Sequence, residues 1–467
     1  MYYPRLIDDH LKEWASSSSH KPLLLRGARQ VGKSSAVKNL GKQFETFVEI
    51  NFEKQRTYKQ LFKDNLNIEQ IVTQLSALMG KRIIAKKTLL FFDEIQECPD
   101  AIMALRFFRE DMPDLHVIAA GSLLEFALMD LPTFGVGRIH SMFMYPMTFD
   151  EFLIANGENQ LLELRNKADN ENPLPEAIYQ KLIQLFRTFI LVGGMPEVVA
   201  KWVETHNYLA CQELQDDIVV AYEDDFAKYK KRVDPILLRQ TLRSAAVQST
   251  NKFVYSRIGE GIKTAEAKTA VELLILAGIL IPITRTSANG LPLGGDSDVS
   301  FRKILILDSG LMLRLLNMAT GDISELTSQI LTENVANLVN KCPMAELIAG
   351  LELLHYLTPN IKHELYYWVK MSRNSQAEVD YITNYKTKVL PIEVKAGVQG
   401  GMKSLWAFMK EKELSIAVRC SLENFSVLNY EDNSDNTTRK VQICPLYAIS
   451  QLSRLLDKHD MDFNSPK

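Results

Sequence analysis

The stretch Gly27-Ala28-Arg29-Gln30-Val31-Gly32-Lys33-Ser34 decides the fold of this chain. It follows the apolar run Leu23–Leu25 and opens the helical pattern Lys33–Lys42, so it lies between a strand and a helix. The spacing G-x-x-x-x-G-K-[ST] in this context is typical of a loop that wraps around phosphate groups, because its glycines let the backbone approach the oxygens closely. An ordinary glycine turn before a helix is the alternative.

This loop is predicted to bind ATP. Its amides and the N-terminus of the following helix supply positive potential for an anion. Lys33 is expected to reach the β- and γ-phosphates, and the hydroxyl of Ser34 is expected to bind Mg²⁺. The predicted ATP-binding residues are Gly27, Ala28, Arg29, Gln30, Val31, Gly32, Lys33 and Ser34.

The run Leu89-Leu90-Phe91-Phe92-Asp93-Glu94 predicts the partner of this loop. An apolar strand that ends in two carboxylates places them at the carboxyl edge of a parallel sheet, beside the phosphate-binding loop. Asp93 is expected to hold Mg²⁺, and Glu94 is expected to act as the general base that polarises the attacking water. The alternative is that one of these carboxylates caps a helix N-terminus.

Two further residues are predicted to be catalytic. Ser122 follows the apolar strand His116–Ala120, so it is expected to sense the γ-phosphate or the attacking water. A turn serine or a helix cap is the alternative for this residue. Arg138 is a candidate arginine finger for the charge of the transition state, although a surface arginine explains it equally well. Arg26 and Arg29 are weaker candidates for contacts with phosphates or with a neighbouring subunit.

The composition excludes several other classes of protein. The chain has 467 residues, of which 46% are hydrophobic and 24% charged, and these globular values exclude a disordered or collagen-like chain. The formal net charge of -3 does not indicate a strongly basic nucleic-acid-binding protein. The cysteines form no C-x-x-C pair, so no zinc site or disulfide framework is expected. They are Cys98, Cys211, Cys342, Cys420 and Cys444.

A cytoplasmic location without membrane contact is expected. The N-terminus lacks the positive segment and apolar core of a secretory signal. The longest apolar stretch, Leu273–Ile283, is too short to span a membrane. Scattered cysteines without a pairing pattern fit reduced thiols.

The order of predicted elements indicates an α/β protein of four regions. Alternating strands and helices over residues 1–150 predict a parallel sheet covered by helices, which would be the P-loop ATPase core. Helical patterns dominate residues 151–245 and predict a helical lid. Residues 246–334 read as helix, turn, helix and hairpin, which suits a winged helix. Residues 335–467 predict a small α/β domain of short strands after one helix.

A second group of charged residues lies on two predicted strands of the C-terminal region. If the turn between these strands centres on Lys386-Thr387, Asp380 lies opposite Glu393, and Lys395 shares the face of Glu393. Two carboxylates at this spacing suit a second Mg²⁺, and the lysine could position a water against a phosphodiester. Pro391 favours an edge strand or a bulge, which would shift this register. An exposed charge cluster without function is the alternative.

Several motifs together resemble one family of ATPases. GARQVGKS, LLFFDEIQ, VIAAGSLLEF, GRIHSMFMYPMTFDEF and GGMPEVV are similar to the bacterial and archaeal AAA+-type ATPases of the AAA_14 plus DUF4143 family, over nearly the whole chain. Ser34 stands where this family usually has threonine, and Ala120 stands where it commonly has threonine before the Gly-Ser pair. The C-terminal pattern D…E-x-K after a helix that carries Glu346 resembles the PD-(D/E)xK nuclease core. That resemblance implies a nuclease site of Glu346, Asp380, Glu393 and Lys395.

The sequence therefore favours a Mg²⁺-dependent ATPase of AAA+ type. Hydrolysis would move the winged-helix and nuclease-like regions, and DNA is a candidate partner because the middle of the chain is rich in basic residues. A solvated helix surface is the alternative for these residues. The alternative function is a slow nucleotide-dependent switch that binds a protein partner or a second copy of the chain, with an inactive C-terminal domain. The basic residues are Lys228, Lys230, Lys231, Arg232, Arg239, Arg243, Lys252, Arg257, Lys263 and Lys268.

Overall fold

A computed structural model describes residues 2–63, 66–122, 124–131, 137–230, 232–316, 344–371, 376–395, 401–432 and 437–458. The chain divides into two compact units. The first comprises Met1–Met147 and two short segments from later in the chain, Leu276–Ile279 and Thr358–Lys362. The second comprises the remainder. Cys342, Lys231 and the end of the predicted winged-helix region, residues 317–334, lie outside the described residues.

The first unit is built on a five-stranded sheet in which every pairing is parallel. Its strand order is β2-β3-β4-β1-β5. Parallel neighbours bring the carboxyl ends of all strands to one edge, which is the edge where the phosphate-binding loop leaves β1. The strands are β1 (Leu23–Arg26), β2 (Thr46–Asn51), β3 (Thr88–Asp93), β4 (His116–Ala120) and β5 (His140–Phe143).

In the described part of the first unit five α-helices accompany these strands, and the central strands are covered as a parallel sheet requires. Every residue of β3 and of β4 is buried, so neither face of these strands meets solvent. The apolar residues of β2, β3 and β4 pack with those of α3 and α4 into one core. The helices are α1 (Ile7–Ser16), α2 (Lys33–Gly41), α3 (Ile68–Met79), α4 (Pro99–Asp111) and α5 (Leu124–Asp130).

Two later segments of the chain complete the first unit. Pro359 accepts a backbone hydrogen bond of 2.8 Å from Phe143, so it covers a main-chain donor at the end of the edge strand β5. A ring nitrogen of His140 lies 3.0 Å from the side-chain oxygen of Asn360. The segment Leu276–Ile279 reaches the phosphate-binding loop. No pattern in the sequence predicts that either segment belongs to the first unit, because each segment lies far along the chain from the residues that it contacts.

The second unit begins with a series of helices. Thr148 starts it with a capping box, in which its side chain accepts from Glu151 N and the Glu151 carboxylate accepts from Thr148 N. The helices are α6 (Phe149–Ala155), α7 (Asn159–Lys167), α8 (Glu176–Val192), α9 (Pro196–Thr205), α10 (Tyr208–Asp225), α11 (Pro235–Val247), α12 (Thr264–Leu276), α13 (Ser309–Leu315), α14 (Met344–His355), α15 (Lys403–Glu411) and α16 (Leu452–Lys458).

The strands of the second unit form one mixed sheet of eight strands, in the order β12-β13-β11-β10-β9-β8-β6-β7. The hairpin β6–β7 of the predicted winged-helix region pairs through β6 with β8, so it shares this sheet with the C-terminal strands. The predicted boundary at 334/335 therefore does not separate two sheets. The strands are β6 (Leu280–Thr286), β7 (Ser297–Ile306), β8 (Leu365–Met371), β9 (Gln376–Tyr385), β10 (Lys388–Val394), β11 (Ile416–Ser421), β12 (Ser426–Asp432) and β13 (Thr437–Pro445).

Across the parts of the chain that the structure describes, each helix is too short or too polar to cross a lipid bilayer.

Candidate nucleotide-binding and hydrolysis site

The phosphate-binding loop leaves β1 after Arg26 and enters α2 at Lys33. Gly32 precedes the helix at φ 100°, a left-handed conformation that glycine adopts without strain. Gly27 is fixed by a close approach of the backbone, because a Cβ atom there would lie 2.1 Å from the carbonyl oxygen of Met144. The loop therefore requires both glycines of the motif for geometric reasons.

Lys33 is buried within this loop. Its Nζ donates to the carbonyl oxygens of Gly27, at 2.9 Å, and of Ala28, at 2.6 Å. Burial lowers the pKa of Lys33 to about 8, and the positive charge of Arg29 also lowers it, whereas Glu94 and Asp93 act in the opposite direction. A lysine whose partners in the protein are two neutral carbonyls holds a charge that an anionic ligand would stabilise.

Asp93 lies beside Ser34, as the sequence predicts. The Ser34 hydroxyl donates to Asp93 Oδ1 at 2.9 Å, and the Asn51 side chain donates to Asp93 Oδ2 at 3.0 Å. Burial raises the pKa of Asp93, although these two hydrogen bonds oppose the shift. Asn51 was not among the predicted site residues, yet it ends β2 beside Asp93 in the parallel register. Its position at the carboxyl edge of a predicted strand is the signal that could have identified it.

Glu94 accepts hydrogen bonds from two side chains that follow it in the sequence. Gln96 Nε2 donates to Glu94 Oε2 at 2.6 Å, and the Ser122 hydroxyl donates to the same oxygen at 3.3 Å. The structure thus brings the predicted residues Glu94 and Ser122 together. Gly121 gives Gln96 its space, because a Cβ atom at Gly121 would lie 2.0 Å from Gln96 Oε1. Gln96 was missed by sequence reasoning, since a glutamine two residues after an acid carries no distinctive pattern.

The far side of the loop is supported by residues that the sequence does not reveal. Arg5 is buried and donates to the carbonyl oxygens of Val31, at 2.9 Å, and of Tyr145, at 2.8 Å. Gly278 lies against Ala28, because a Cβ atom at Gly278 would be 3.3 Å from the backbone nitrogen of Ala28. These contacts come from segments remote in sequence, and they fix the backbone of the loop before a ligand binds.

The three candidate arginines lie in different places. Arg26 forms an ion pair with Glu125 and stacks over the ring of Phe143, so its guanidinium already has partners. Arg29 lies in the loop, close enough for its charge to act on Lys33. Arg138 is half-exposed and contacts Glu110.

The position of Arg138 differs from the expected place beside the phosphates. It precedes β5 and therefore lies at the amino-terminal edge of the parallel sheet, whereas the phosphate-binding loop follows the carboxyl end of β1. The role of Arg138 as an arginine finger stays a prediction.

The residues of the predicted C-terminal site lie together at one end of the hairpin β9–β10. The turn lies at Lys386-Thr387 and the pairing runs from Lys388 with Tyr385 to Ile392 with Tyr381, as the sequence predicts. Asp380 Oδ2 accepts from the backbone nitrogen of Val394 at 2.8 Å. Pro391 causes neither a bulge nor a shift of register, because β10 continues through the proline with regular pairing to β9.

A buried lysine from β7 lies within this group. Lys303 Nζ contacts Glu346 at 2.7 Å and Glu378 at 2.5 Å, and its exposed fraction is only 1%. Although burial opposes it, the charges of Glu346, Asp380 and Glu378 raise the pKa of Lys303. We call the set Lys303, Glu346, Glu378, Asp380, Glu393 and Lys395 the C-terminal charge cluster.

The remaining contacts of the C-terminal charge cluster neutralise it further. Lys395 Nζ donates to Glu393 Oε1 at 2.5 Å. Burial raises the pKa of Glu346 to about 8 and of Glu393 to about 7. Among the residues that the structure describes, no three His, Cys, Asp or Glu side chains are arranged to hold a metal ion. The second Mg²⁺ therefore has no support from this geometry.

The class of the first unit follows from its fold and site. A five-stranded parallel sheet carries G-x-x-x-x-G-K-S after β1 and the Asp-Glu pair after β3, next to Ser34. This is the fold of a P-loop NTPase, and the predicted fold class is confirmed for the core and for the mixed sheet and helices that follow.

The family matches give the particular domains. Residues 19–153 match the family model described as an AAA domain. Residues 343–449 match a domain of unknown function, DUF4143, so the resemblance to the AAA_14 plus DUF4143 family is confirmed for both of its domains. Residues 183–322 match another domain of unknown function, DUF8612, which the motifs did not suggest. These matches do not support the nuclease resemblance, which stays a prediction.

The solved structures that are similar to the chain include the following three. A Walker-type ATPase of Pyrococcus abyssi has 15% identity and a TM-score of 0.44, with 68% of this chain and 96% of that chain covered. The Aeropyrum pernix ORC1 protein in complex with DNA has 13% identity and a TM-score of 0.29, with 72% and 94% covered. A Thermotoga maritima RuvB variant has 15% identity and a TM-score of 0.28, with 59% and 87% covered. No curated protein sequence matches the chain.

Proposed function

We propose that this protein is a Mg²⁺-dependent ATPase. The observation that carries the proposal is the contact of Ser34 with Asp93 at 2.9 Å beside the buried Lys33. A hydroxyl and a carboxylate are the oxygen ligands that Mg²⁺ prefers, and the neutral carbonyl partners of Lys33 leave its charge for phosphate oxygens. The donor set of the site therefore fits a magnesium nucleotide.

The residues of the site divide the chemistry between them. Loop amides and Lys33 bind the phosphate oxygens and stabilise the negative charge that develops on them. Glu94 accepts a proton from the attacking water, and Gln96 and Ser122 hold its carboxylate in place. Mg²⁺, held by Ser34 and Asp93, would neutralise phosphate charge when it is bound. Arg29 and Ser122 are the proposed residues that contact the γ-phosphate.

The test of this function separates binding from hydrolysis. Glu94→Gln is expected to keep ATP affinity and to lower the hydrolysis rate by about 100-fold or more, because an amide cannot accept the proton. Glu97→Gln is the matched control, since Glu97 is a half-exposed acid three residues later that pairs with Lys59. Hydrolysis by Glu94→Gln at the rate of the control would remove Glu94 as the general base.

Loss of binding is tested at Lys33. Lys33→Ala is expected to weaken ATP binding by about 100-fold, measured by calorimetry, because it removes the buried charge. Lys38→Ala changes an exposed lysine of the same helix that pairs with Glu49, and it is expected to bind as the wild type does. Equal affinities of the two variants would contradict ATP binding at this loop.

We further propose that the hydrolysis cycle moves the domains of the second unit. The output is DNA processing or a switch that binds a protein partner or a second copy of the chain. Two of the basic residues proposed to contact DNA, Arg239 and Arg243, pair with Glu223. Lys303 supplies the C-terminal charge cluster with its own cation. Both observations favour the switch with an inactive C-terminal domain.

Three measurements separate DNA processing from the switch function. We expect an ATPase rate that duplex DNA changes by less than about twofold, and an oligomeric state that changes with nucleotide. A nuclease would cut DNA with Mg²⁺ or Mn²⁺ and lose this activity in Asp380→Ala and Lys395→Ala. Cleavage with that dependence, or strong stimulation by DNA, would favour DNA processing instead.

A further inference from the structure

The turn between α12 and β6 contacts the phosphate-binding loop. Leu276–Ile279 belongs to the first unit, although the chain on both sides of it belongs to the second. Within this turn, Gly278 lies so close to Ala28 that an added Cβ atom would be 3.3 Å from Ala28 N, 3.4 Å from Ala28 Cβ and 3.5 Å from Ala28 Cα. Ala28 is buried at this contact. The backbone of the turn therefore forms part of the wall behind the loop.

Ala28 is also the residue to which Lys33 is tied. The ammonium of Lys33 donates to the Ala28 carbonyl at 2.6 Å, the shorter of its two contacts with the loop. Phosphate oxygens compete for this ammonium, because an anion is a far stronger partner for a buried charge than a neutral carbonyl. Binding of a triphosphate thus weakens the hydrogen bond from Lys33 to the carbonyl of Ala28, the residue that Gly278 also contacts.

The chain carries a shift at Gly278 directly into two elements of the second unit. Helix α12 ends at Leu276, two residues before Gly278, and β6 begins at Leu280, two residues after it. Gly278 has φ +75°, a conformation that residues with a Cβ atom adopt only with strain. The turn is therefore short and of fixed shape, so it has little slack in which to absorb a movement of Ala28.

We infer that Gly278 is a positioning residue of the phosphate-binding loop, through which nucleotide binding is transmitted to α12 and β6. This inference rests on the proposed ATP binding at the loop. It deepens that proposal, because it names the segment by which the nucleotide state would reach the DUF8612 and DUF4143 regions.

The variant that tests the inference is Gly278→Ala, with Gly261→Ala as its matched control. Gly261 has φ +76°, nearly the same backbone conformation, but an added Cβ atom there meets nothing within 4 Å. Both substitutions introduce the same strain of a left-handed residue, and only Gly278→Ala crowds Ala28. We expect Gly278→Ala to weaken ATP binding by about tenfold and Gly261→Ala to change it by less than about twofold, measured by calorimetry.

A second measurement needs no variant. Hydrogen exchange of the wild-type protein is compared with and without the non-hydrolysable nucleotide AMPPNP and Mg²⁺. We expect changed protection over residues 264–286, which include α12, the Gly278 turn and β6. In Gly278→Ala, saturated with the same nucleotide, this change is expected to be lost, whereas Gly261→Ala retains it.

The failures of the two proposals are distinguishable. A wild-type protein that bound no nucleotide would overturn the proposed function and this inference together. Equal affinities in the two glycine variants, or nucleotide binding by the wild type without a change in protection over residues 264–286, would overturn the inference alone.

Discussion

At the scale of the residue, the proposed nucleotide binding is expected to depend on the ammonium group of Lys33. Burial lowers its pKa to about 8 in the free protein, so a rising pH removes its proton well before it would in water. A neutral amine gives phosphate oxygens much less stabilisation than an ammonium does. ATP affinity is therefore expected to be constant below about pH 7 and to fall by up to tenfold for each pH unit above about 8.

Calorimetric titration of ATP at a series of pH values checks this prediction. Because the nucleotide favours the charged lysine, binding at about pH 8.5 is also expected to take up protons, which appears as a dependence of the binding heat on the buffer. Affinity that stays constant between about pH 7 and pH 9.5, without proton uptake, would show that the lysine is not the group that titrates.

At this scale the sequence predicts the residues of local motifs, but it does not reveal the remote residues that contact those motifs and hold them in place. The loop and the Asp-Glu pair lie in short patterns whose spacing follows from phosphate chemistry, and the contact of Ser34 with Asp93 brings these two patterns together. Arg5 and Gly278 reach the loop from remote parts of the chain, and single residues at such distances leave no periodic signal. The role of Arg138 stays a prediction, since proximity in sequence to a motif does not tell which edge of the sheet a residue occupies.

At the scale of elements, the C-terminal charge cluster depends on one lysine from β7. Lys303 is 1% exposed and contacts Glu346 and Glu378, so its removal leaves these two carboxyl groups without their cation. Lys303→Met is expected to lower the free energy of unfolding by about 3–5 kcal/mol, measured by urea unfolding. Adding Glu346→Gln to Lys303→Met is expected to recover part of this loss, because an amide cannot take on the negative charge that Lys303 no longer balances.

Lys370 provides the control for this experiment. It lies on β8 and pairs with Glu411, but its side chain is 59% exposed, so Lys370→Met is expected to cost less than about 1 kcal/mol. If Lys303→Met were as stable as Lys370→Met, the cluster would not need its internal cation. A metal ion would then become a better explanation for the four carboxylates.

A second prediction at this scale concerns two stacked histidines, His20 and His116, of which His116 is the first residue of β4. His116 and His20 stack with ring centroids 3.9 Å apart, and Trp14 and Phe44 pack edge-on against His116. Burial lowers the pKa of His116, and the neighbouring His20 lowers it further, although Ala15 and Asp114 oppose the shift. The unfolded chain therefore binds this proton more readily than the folded protein does, so stability falls as pH decreases below about 6.5.

His116→Phe is expected to flatten this dependence. A phenyl ring keeps the stack but cannot be protonated, so the free energy of unfolding should change less between about pH 7 and pH 5 than in the wild type. His10→Phe removes a histidine that is 41% exposed and should leave the slope unchanged. Urea unfolding at several pH values measures both slopes, and identical slopes for wild type and His116→Phe would exclude His116 as the source.

Secondary structure in the second unit shows how far pattern reading reaches at this scale. The hairpin β9–β10 is predictable because both strands carry β-branched residues, and β9 also carries tyrosines. The strands β12 and β13 were not predicted, since Ser426–Asp432 carries mostly polar and exposed residues and gains its structure from pairing with β13. The joining of β6 and β8 into one sheet is a contact between remote segments, and local patterns do not encode it.

At the scale of the whole molecule, the chain enters and leaves the first unit several times. The first unit is not completed by residues 1–147, because Leu276–Ile279 and Thr358–Lys362 also belong to it. The backbone bond from Phe143 to Pro359 covers the edge strand β5, and an uncovered edge strand invites pairing with another molecule. The first unit therefore comprises three separate segments of the chain, and the consecutive domain bounds suggested by the sequence stay a prediction.

A chain of residues 1–147 alone is the test of this view. It lacks the contact of Gly278 with Ala28 and the cover of β5, so it is expected to bind ATP more weakly than the full chain and to self-associate. Separately produced residues 148–467 contain both missing segments, and adding them is expected to restore affinity and solubility. Calorimetry and sedimentation measure these two properties. Residues 1–147 that bound ATP as tightly as the full chain and stayed monomeric would form a complete domain without the two later segments. The contact between Ala28 and Gly278 would then have no role in nucleotide binding.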